Sequence, residues 1–165
     1  MRPKPILFPV TYKCNLDCKY CYLKNSGPEP DLDKCLELIK NAEEEWIYLT
    51  GGEPLLVKNL EEICNKMKSY GKKIGITTNG TIKNYDIVNF TNRVGVSIDG
   101  NKEYHNIYRQ NSFDQAVDFL KNMVGKTETV LMFTKFKENE DQVDYIEDLA
   151  NTIGVDHLQI TKGIV

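Results

Sequence analysis

Long apolar runs, clustered basic residues and histidines are all scarce in this chain of 165 residues. No stretch approaches the ~20 consecutive apolar residues of a transmembrane helix, so we expect no association with a membrane. The net charge is -3 and the lysines are scattered, which argues against a nucleic-acid partner, because such a partner needs a clustered basic face. With 41% hydrophobic and 27% charged residues, the composition predicts one compact domain over residues 1–165, located in the cytoplasm.

Side chains for a conventional metal or disulfide site are also few. The two histidines, His105 and His157, stand alone, and no second pair of cysteines is present, so a structural zinc site lacks its usual set of four ligands. Five cysteines is an odd number and no signal peptide precedes them, which disfavours a disulfide framework. No Ser-His-Asp arrangement or paired carboxylate site is evident either.

Three of the five cysteines, Cys14, Cys18 and Cys21, lie within eight residues. A closed 4Fe-4S cluster has a ligand on each iron, so three thiolates on one loop would leave one iron free for a substrate or cofactor. The spacing differs from the four-cysteine run of electron-transfer ferredoxins. Taken alone, the triplet favours an open iron-sulfur site over zinc, while a zinc site and a cluster of buried thiols remain alternatives.

The triplet has the form C-x3-C-x-aromatic-C, with Tyr20 at the aromatic position, and it follows the first predicted strand. Further motifs come after later apolar runs, in this order: Thr50-Gly51-Gly52-Glu53-Pro54, then Thr78-Asn79-Gly80, then Ser97-Ile98-Asp99-Gly100 with Arg109 beyond it. Together these motifs cover nearly the whole chain. In this set and order the sequence resembles the radical SAM enzymes.

The resemblance implies two cofactors, a 4Fe-4S cluster held by Cys14, Cys18 and Cys21, and S-adenosylmethionine bound at the free iron. The residues that it places near S-adenosylmethionine are Tyr20, Gly51, Gly52, Glu53, Pro54, Thr78, Asn79, Ser97, Asp99 and Arg109. By the same resemblance, the glycine segment holds the amino group of the cofactor, with Glu53 supporting the loop. Ser97 is expected at the ribose and Arg109 at the methionine carboxylate, for which hydroxyl and guanidinium groups are suited.

Simpler interpretations exist for several of these residues. The Gly-Gly-x-Pro segment also suits an ordinary strand-to-helix turn. Arg109 could form a surface ion pair, and Tyr20 could pack beneath the loop. Asp99 has two candidate roles, capping the turn at Gly100 or orienting Arg109. We assign no catalytic role to His105.

Strand and helix signals alternate along the chain, which predicts an α/β fold with a parallel sheet. The predicted strands span residues 6–12, 46–50, 73–77, 93–98, 129–135 and 157–161; the predicted helices span 31–45 and 57–70, a short segment near 87–90, a segment opening with a capping box at Ser112, and a segment from 139–142 to 153. We expect a partial (β/α)6 TIM-like barrel whose last helix is absent. Pro9 predicts an edge position for the first strand, because proline cannot donate to a strand ladder. Cys35 and Cys64 are predicted to be core thiols.

The activity implied by the resemblance is reductive cleavage of S-adenosylmethionine to a 5'-deoxyadenosyl radical, which abstracts hydrogen from an unknown substrate. The implied partners are an electron donor such as flavodoxin or ferredoxin, and a peptide, protein or small-molecule substrate. The Ser-Ile-Asp-Gly motif resembles the peptide-modifying branch, whose members usually carry a cysteine-rich C-terminal extension, yet the last cysteine here is Cys64.

Alternatives to a peptide-modifying enzyme therefore stay open. One is a small single-cluster enzyme that acts on a small molecule or activates a glycyl-radical enzyme. Another, of a different class, is a non-catalytic iron-sulfur and S-adenosylmethionine binding module. The uncovered sixth strand also predicts association, most simply as a homodimer.

Overall fold

The computed structural model describes residues 4–24 and 26–163, and its core is a single six-stranded sheet. The strands lie in chain order and every neighbouring pair is parallel. They are β1 (Ile6–Thr11), β2 (Trp46–Gly51), β3 (Lys73–Thr78), β4 (Arg93–Ser97), β5 (Glu128–Lys135) and β6 (His157–Lys162). The predicted parallel α/β sheet is therefore confirmed, with strand boundaries within one residue of the predicted ones.

The helices lie between successive strands and connect them. They are α1 (Leu32–Lys40), α2 (Leu60–Ser69), α3 (Lys102–Tyr108), α4 (Phe113–Met123) and α5 (Val143–Ile153), with 3-10 turns at Pro54–Leu56, Tyr85–Asn89 and Lys137–Gln142. Alternate strand residues, such as Ile47, Ile74 and Val94, are fully buried together with the apolar stripes of the helices. The helices bury the apolar faces of the parallel strands. The loops at the carboxyl ends of the strands are left free to carry a site.

Two predicted helices are longer than the observed ones. The helix predicted over 31–45 ends at Lys40, where the N–H of Asn41 bonds back to the carbonyl of Leu38. The carbonyl of Glu44, further along, accepts from the Lys72 ammonium at 3.1 Å, which anchors this segment outside the helix. The helix predicted over 57–70 begins only at Leu60, because a separate 3-10 turn precedes it.

Helix α3 was not predicted from the sequence, and the segment near 87–90 is a 3-10 turn rather than a helix. The capping box predicted at Ser112 is also wrong, since the Ser112 side chain makes no cap hydrogen bond to α4. The thiol of Cys64 is buried and Cys35 is partly buried against the core, as predicted for both.

Two strands form the edges of the sheet. Strand β1 pairs only with β2, which confirms the edge position predicted from Pro9. Strand β6 contacts α5 and packs Leu158 against the core, but five of its six residues are exposed, including Ile160. The homodimer stays a prediction. Within residues 4–24 and 26–163, no helix is long and apolar enough to cross a membrane.

Candidate functional site

The predicted site residues lie at or just beyond the carboxyl ends of β1 to β4. The segment 12–24, here called the cysteine loop, follows β1, and Gly51-Gly52 ends β2. Asn79 follows β3 and Asp99 follows β4. Because the loops at this end of a parallel sheet converge, the four motifs can meet, and the hydrogen bonds described below join them.

The glycine pair fixes the start of the cysteine loop through the backbone. The N–H of Gly52 donates to the carbonyl of Thr11 at 2.7 Å, and the N–H of Glu53 donates to the carbonyl of Lys13 at 2.8 Å. A Cβ atom at position 51 or 52 would lie 2.1 or 2.0 Å from these two carbonyl oxygens, respectively. Gly51 also has a φ of +116°, a conformation that L side chains rarely adopt. Only glycine permits this close approach of two backbones.

Gly52→Ala is expected to push the cysteine loop away from β2, because the contact is with rigid backbone rather than with a flexible side chain. We expect a loss of about 1–3 kcal/mol in the free energy of unfolding, the usual range for overpacking. Urea unfolding measures it. The matched control is Gly27→Ala, since a Cβ atom at Gly27 would contact nothing within 4 Å. Equal stability of the two variants would contradict the expected clash.

Glu53 links the second and third motifs from a fully buried position. Its carboxylate accepts from the N–H of Leu55 at 3.0 Å, the hydroxyl of Thr78 at 2.7 Å and the N–H of Asn79 at 2.8 Å. Burial raises the pKa of Glu53, and the hydrogen bonds oppose that rise. Pro54, also buried, begins the 3-10 turn after it. The buried bonds of Glu53 and Thr78 support the loops from behind the site.

Asn79 joins the third motif to the cysteine loop. Its side-chain N–H group donates to the Asn15 side-chain oxygen at 2.9 Å and lies 3.9 Å from the Cys14 sulfur. Its own side-chain oxygen accepts from the N–H of Thr81 at 3.0 Å, which fixes the orientation of the amide. Asn79 therefore connects the third motif to the side chains of Cys14 and Asn15.

Asp99 is the centre of the fourth motif and is fully buried. One of its carboxylate oxygens accepts from both Arg109 Nε and the Tyr20 hydroxyl, and the other lies 3.4 Å from the N–H of Thr134. The Arg109 side chain is only 11% exposed, so the surface ion pair considered from the sequence is wrong. Asp99 therefore orients Arg109, which is one of the two roles considered for it from the sequence.

Arg109 keeps its charge inside the protein. Burial opposes that charge, but Asp99, Tyr20 and Cys18 together more than offset the effect of burial, so the pKa of Arg109 is raised. Burial also raises the pKa of Tyr20, so its phenol keeps the proton that it donates to Asp99. The Tyr20 ring packs 4.7 Å from the ring of Phe136, centroid to centroid, and 5.5 Å from the Arg109 guanidinium carbon.

The three cysteines of the loop differ in exposure. Cys14 is exposed, whereas Cys18 and Cys21 are half-buried. Burial raises the pKa of Cys14 and Cys18, and the positive charge of Arg109 opposes that rise at Cys18. Two backbone amides on either side of Cys18 are held by the end of α3: Asp17 N–H donates to the Gln110 side chain at 2.7 Å, and Lys19 N–H to the Tyr108 carbonyl at 3.0 Å.

The three thiols of the cysteine loop are the donor groups to consider for a metal ion or a cluster. Across the described parts of the chain, no three His, Cys, Asp or Glu side chains come close enough to hold one metal ion. Ligands of a cluster each meet a different iron and therefore lie further apart than ligands of one ion. Three free thiols on one loop, beside the guanidinium of Arg109, fit a 4Fe-4S cluster with one iron open.

Ser97 is the last residue of β4 and pairs in register with Met132 of β5. It is half-buried. Ser97 therefore lies at the same edge of the sheet as Gly51 and Asn79.

His105 has a structural role in the site, through hydrogen bonds whose partners were not predicted from the sequence. Its fully buried ring accepts from the N–H of Asp99 at 3.2 Å through Nδ1, and Nε2 lies 2.9 Å from the Ser112 hydroxyl. Because Nδ1 accepts, Nε2 carries the proton and donates to Ser112, which donates in turn to the Arg109 carbonyl at 2.7 Å. Burial, assisted by the charge of Arg109, lowers the pKa of His105 to about 4.

This lowered pKa predicts a loss of stability in mild acid. The unfolded chain takes up a proton at His105 near pH 6.5 and the folded chain only near pH 4, so the stabilisation is complete above pH 6.5 and declines as the pH falls towards 4. Between pH 7 and pH 5 we expect a loss of about 2 kcal/mol from this group. Urea unfolding of the chain at both pH values measures it, and His105→Gln should remove that part of the pH dependence. An identical pH dependence in the variant would contradict the prediction.

Comparison with known proteins agrees with this geometry. The family model of the radical SAM superfamily matches residues 8–150. The 7-carboxy-7-deazaguanine synthase of Thermoplasma acidophilum is 37% identical over 98 residues, which cover 58% of this chain and 46% of that protein. Pre-heme d1 synthase of Dinoroseobacter shibae is 27% identical over 176 residues, covering 96% of this chain and 43% of that protein. The chain thus spans about half the length of the curated relatives that it matches.

Solved structures show the same architecture. SuiB of Streptococcus suis, in its complex with S-adenosylmethionine, superimposes with a TM-score of 0.83 at 15% identity, over 99% of this chain and 41% of SuiB. TYW1, in a structure with a lysine-pyruvate adduct, gives a TM-score of 0.71 at 14% identity, over 97% of this chain and 63% of TYW1. The predicted partial barrel is confirmed by these likenesses. By the family match over most of its length, the chain belongs to the radical SAM superfamily.

Proposed function

We propose that this chain is the core domain of a radical SAM enzyme, in which Cys14, Cys18 and Cys21 bind three irons of a 4Fe-4S cluster. The observation that carries the proposal is the connection of the four motifs. Hydrogen bonds join the cysteine loop to the glycine turn, to Asn79 and, through Tyr20, to the Asp99–Arg109 pair, all at one end of the sheet. When bound there, the cluster and S-adenosylmethionine would supply one-electron radical chemistry that removes a hydrogen atom from the substrate.

The side chains of the site orient the cofactor and exclude water. Asp99 holds Arg109 through Nε, which leaves the terminal nitrogens of the guanidinium to take the methionine carboxylate. The backbone at Gly51 and Gly52 binds the amino group of S-adenosylmethionine, and the Ser97 hydroxyl binds its ribose. Tyr20 covers one side of Arg109.

Arg109→Lys tests the carboxylate contact while keeping a positive charge beside Asp99. Lysine lacks the planar fork that binds a carboxylate through two nitrogens, so affinity for S-adenosylmethionine should fall ~10-fold. Calorimetry on the anaerobically reconstituted protein measures the change. The control is Arg93→Lys, whose arginine pairs with Glu128 at the opposite end of β4. Unchanged affinity of Arg109→Lys would contradict the role of Arg109 as the group that binds the methionine carboxylate.

Turnover is tested by reconstituting the chain with iron and sulfide under anaerobic conditions, then adding dithionite and S-adenosylmethionine. Formation of 5'-deoxyadenosine is the expected result. A cluster that binds S-adenosylmethionine without cleaving it would support the non-catalytic binding module instead. The natural electron donor that we propose is a small one-electron carrier such as flavodoxin or ferredoxin.

For the substrate, the relatives by sequence favour a small molecule over a peptide or protein. They include the deazaguanine synthase and a probable GTP 3',8-cyclase of Saccharolobus islandicus, 25% identical over 168 residues. The likeness to SuiB, which was solved with a precursor peptide, is one of fold alone. An assay with fractions of cell extract separated by molecular size distinguishes a small-molecule substrate from a peptide or protein substrate. The small-molecule fraction should raise 5'-deoxyadenosine formation above the substrate-free rate, and stimulation by the protein fraction alone would favour a peptide or protein.

A further inference from the structure

We infer that residues 105–112 form a clasp, locked by His105 and Ser112, that positions Cys18 and Arg109 relative to each other. The clasp comprises the second half of α3 and the turn that connects it to α4. The inference rests on the proposed roles of Cys18 at the cluster and Arg109 at S-adenosylmethionine. It adds His105, Gln110 and Ser112 as positioning residues.

The outer side of the clasp holds the cysteine loop. The amides of Asp17 and Lys19, the two neighbours of Cys18, donate to the Gln110 side chain at 2.7 Å and to the Tyr108 carbonyl at 3.0 Å. With the backbone fixed on both sides, the Cα of Cys18 has little freedom to move. No other residue of the triplet is held in this way by α3 in the described residues.

The turn itself adopts a conformation that requires support. Gln110 and Asn111 have φ values of 53° and 56°, and they are the only non-glycine residues with positive φ in the described parts of the chain. A left-handed conformation is unfavourable for residues with a side chain, and it persists where surrounding contacts hold it. Here it directs the Gln110 side chain to the amide of Asp17.

The inner side of the clasp explains why Ser112 does not cap α4. Its hydroxyl donates to the carbonyl of Arg109 and accepts from His105, while the Asn106 side chain accepts from the amide of Phe113 at 3.0 Å. His105 also accepts from the amide of Asp99. One buried imidazole therefore connects the backbone of both partners of the Asp99–Arg109 pair.

Amide hydrogen exchange in the chain without cofactors tests the clasp directly. Ser112→Ala removes the inner link and Gln110→Ala removes the acceptor for Asp17. We expect amide exchange at Asp17 and Lys19 to become about tenfold faster in Ser112→Ala, the factor for one lost hydrogen bond, and the same at Asp17 in Gln110→Ala. Ser112→Thr keeps the hydroxyl and should preserve the protection.

The control is Thr91→Val, which removes another buried hydroxyl that donates to a carbonyl, that of Ile87, just before the opposite end of β4. It should leave the amides of Asp17 and Lys19 protected once exchange is corrected for any change in global stability. Unchanged exchange at both amides in Ser112→Ala, or equal acceleration in Thr91→Val, would overturn the clasp.

A second measurement connects the clasp to the cofactors. In reconstituted protein, Ser112→Ala should weaken S-adenosylmethionine binding about fivefold, because the Arg109 carbonyl loses the hydrogen bond that connects it to Ser112 and His105. Wild-type affinity in a variant whose amides have lost protection would refute the positioning role. If the wild-type chain binds no cluster, the proposed function fails, yet amide exchange still decides whether the clasp exists.

Discussion

Alanine at Cys14, Cys18 or Cys21 is expected to abolish the absorption of the 4Fe-4S cluster and all cleavage of S-adenosylmethionine. Each thiolate would hold a different iron, so no remaining cysteine of the loop can replace the one removed. Visible absorption together with iron and sulfide content after anaerobic reconstitution measures the first loss. The amount of 5'-deoxyadenosine measures the second.

Cys35→Ala and Cys64→Ala are the matched controls and should retain the cluster. Cys64 is fully buried in α2, where burial raises its pKa to about 12, so it stays a protonated thiol. Cys35 packs against the core from α1. A requirement for either helix cysteine, or zinc without sulfide in anaerobic protein, would contradict the cluster assignment.

The sequence predicted those parts of the site that depend on local pattern. Apolar segments indicate where each strand ends, and the motifs of Gly51, Asn79 and Ser97 follow such segments. In a parallel sheet the loops after these strands lie at one edge. The sequence also indicates where two backbones can approach closely, because Gly51 and Gly52 have no side chains to separate them from another segment. The packing of the cysteine loop against that pair is its structural consequence.

Contacts between segments that lie far apart along the chain could not be predicted from local sequence patterns. Ser112 and Gln115 have the spacing of a capping box, yet the Ser112 hydroxyl bonds to His105 and Arg109, because tertiary partners compete with a local cap. Helix α3 has only seven residues, and the Asn101 side chain that caps it was its main local signal. The role of His105 emerges only once α3 has brought it beneath Asp99.

Asp99→Ala is the second variant with a large expected effect, and it acts on stability. The Asp99 carboxylate is fully buried and the Arg109 side chain is 11% exposed, so removing the carboxylate leaves a guanidinium charge in the interior without its partner. Breaking one side of such a pair typically costs about 3–5 kcal/mol. The Tyr20 hydroxyl loses its acceptor at the same time. Urea unfolding of the chain at pH 7 measures the loss.

The control for Asp99→Ala is Asp114→Ala, whose carboxylate forms a 2.6 Å ion pair with Lys102 while both side chains are more than half exposed. Exposed pairs contribute about 0–1 kcal/mol, so this variant should be nearly as stable as the wild type.

A double-mutant cycle separates the interaction energy between Asp99 and Arg109 from the effect of the side-chain volume that Asp99→Ala removes. Once Arg109→Met has removed the buried charge, Asp99→Ala should cost far less than it does in the wild type, since no guanidinium is left uncompensated. Equal costs in the two backgrounds would mean that Asp99 stabilises the fold through its other hydrogen bonds, and the orientation of Arg109 would then need a different source.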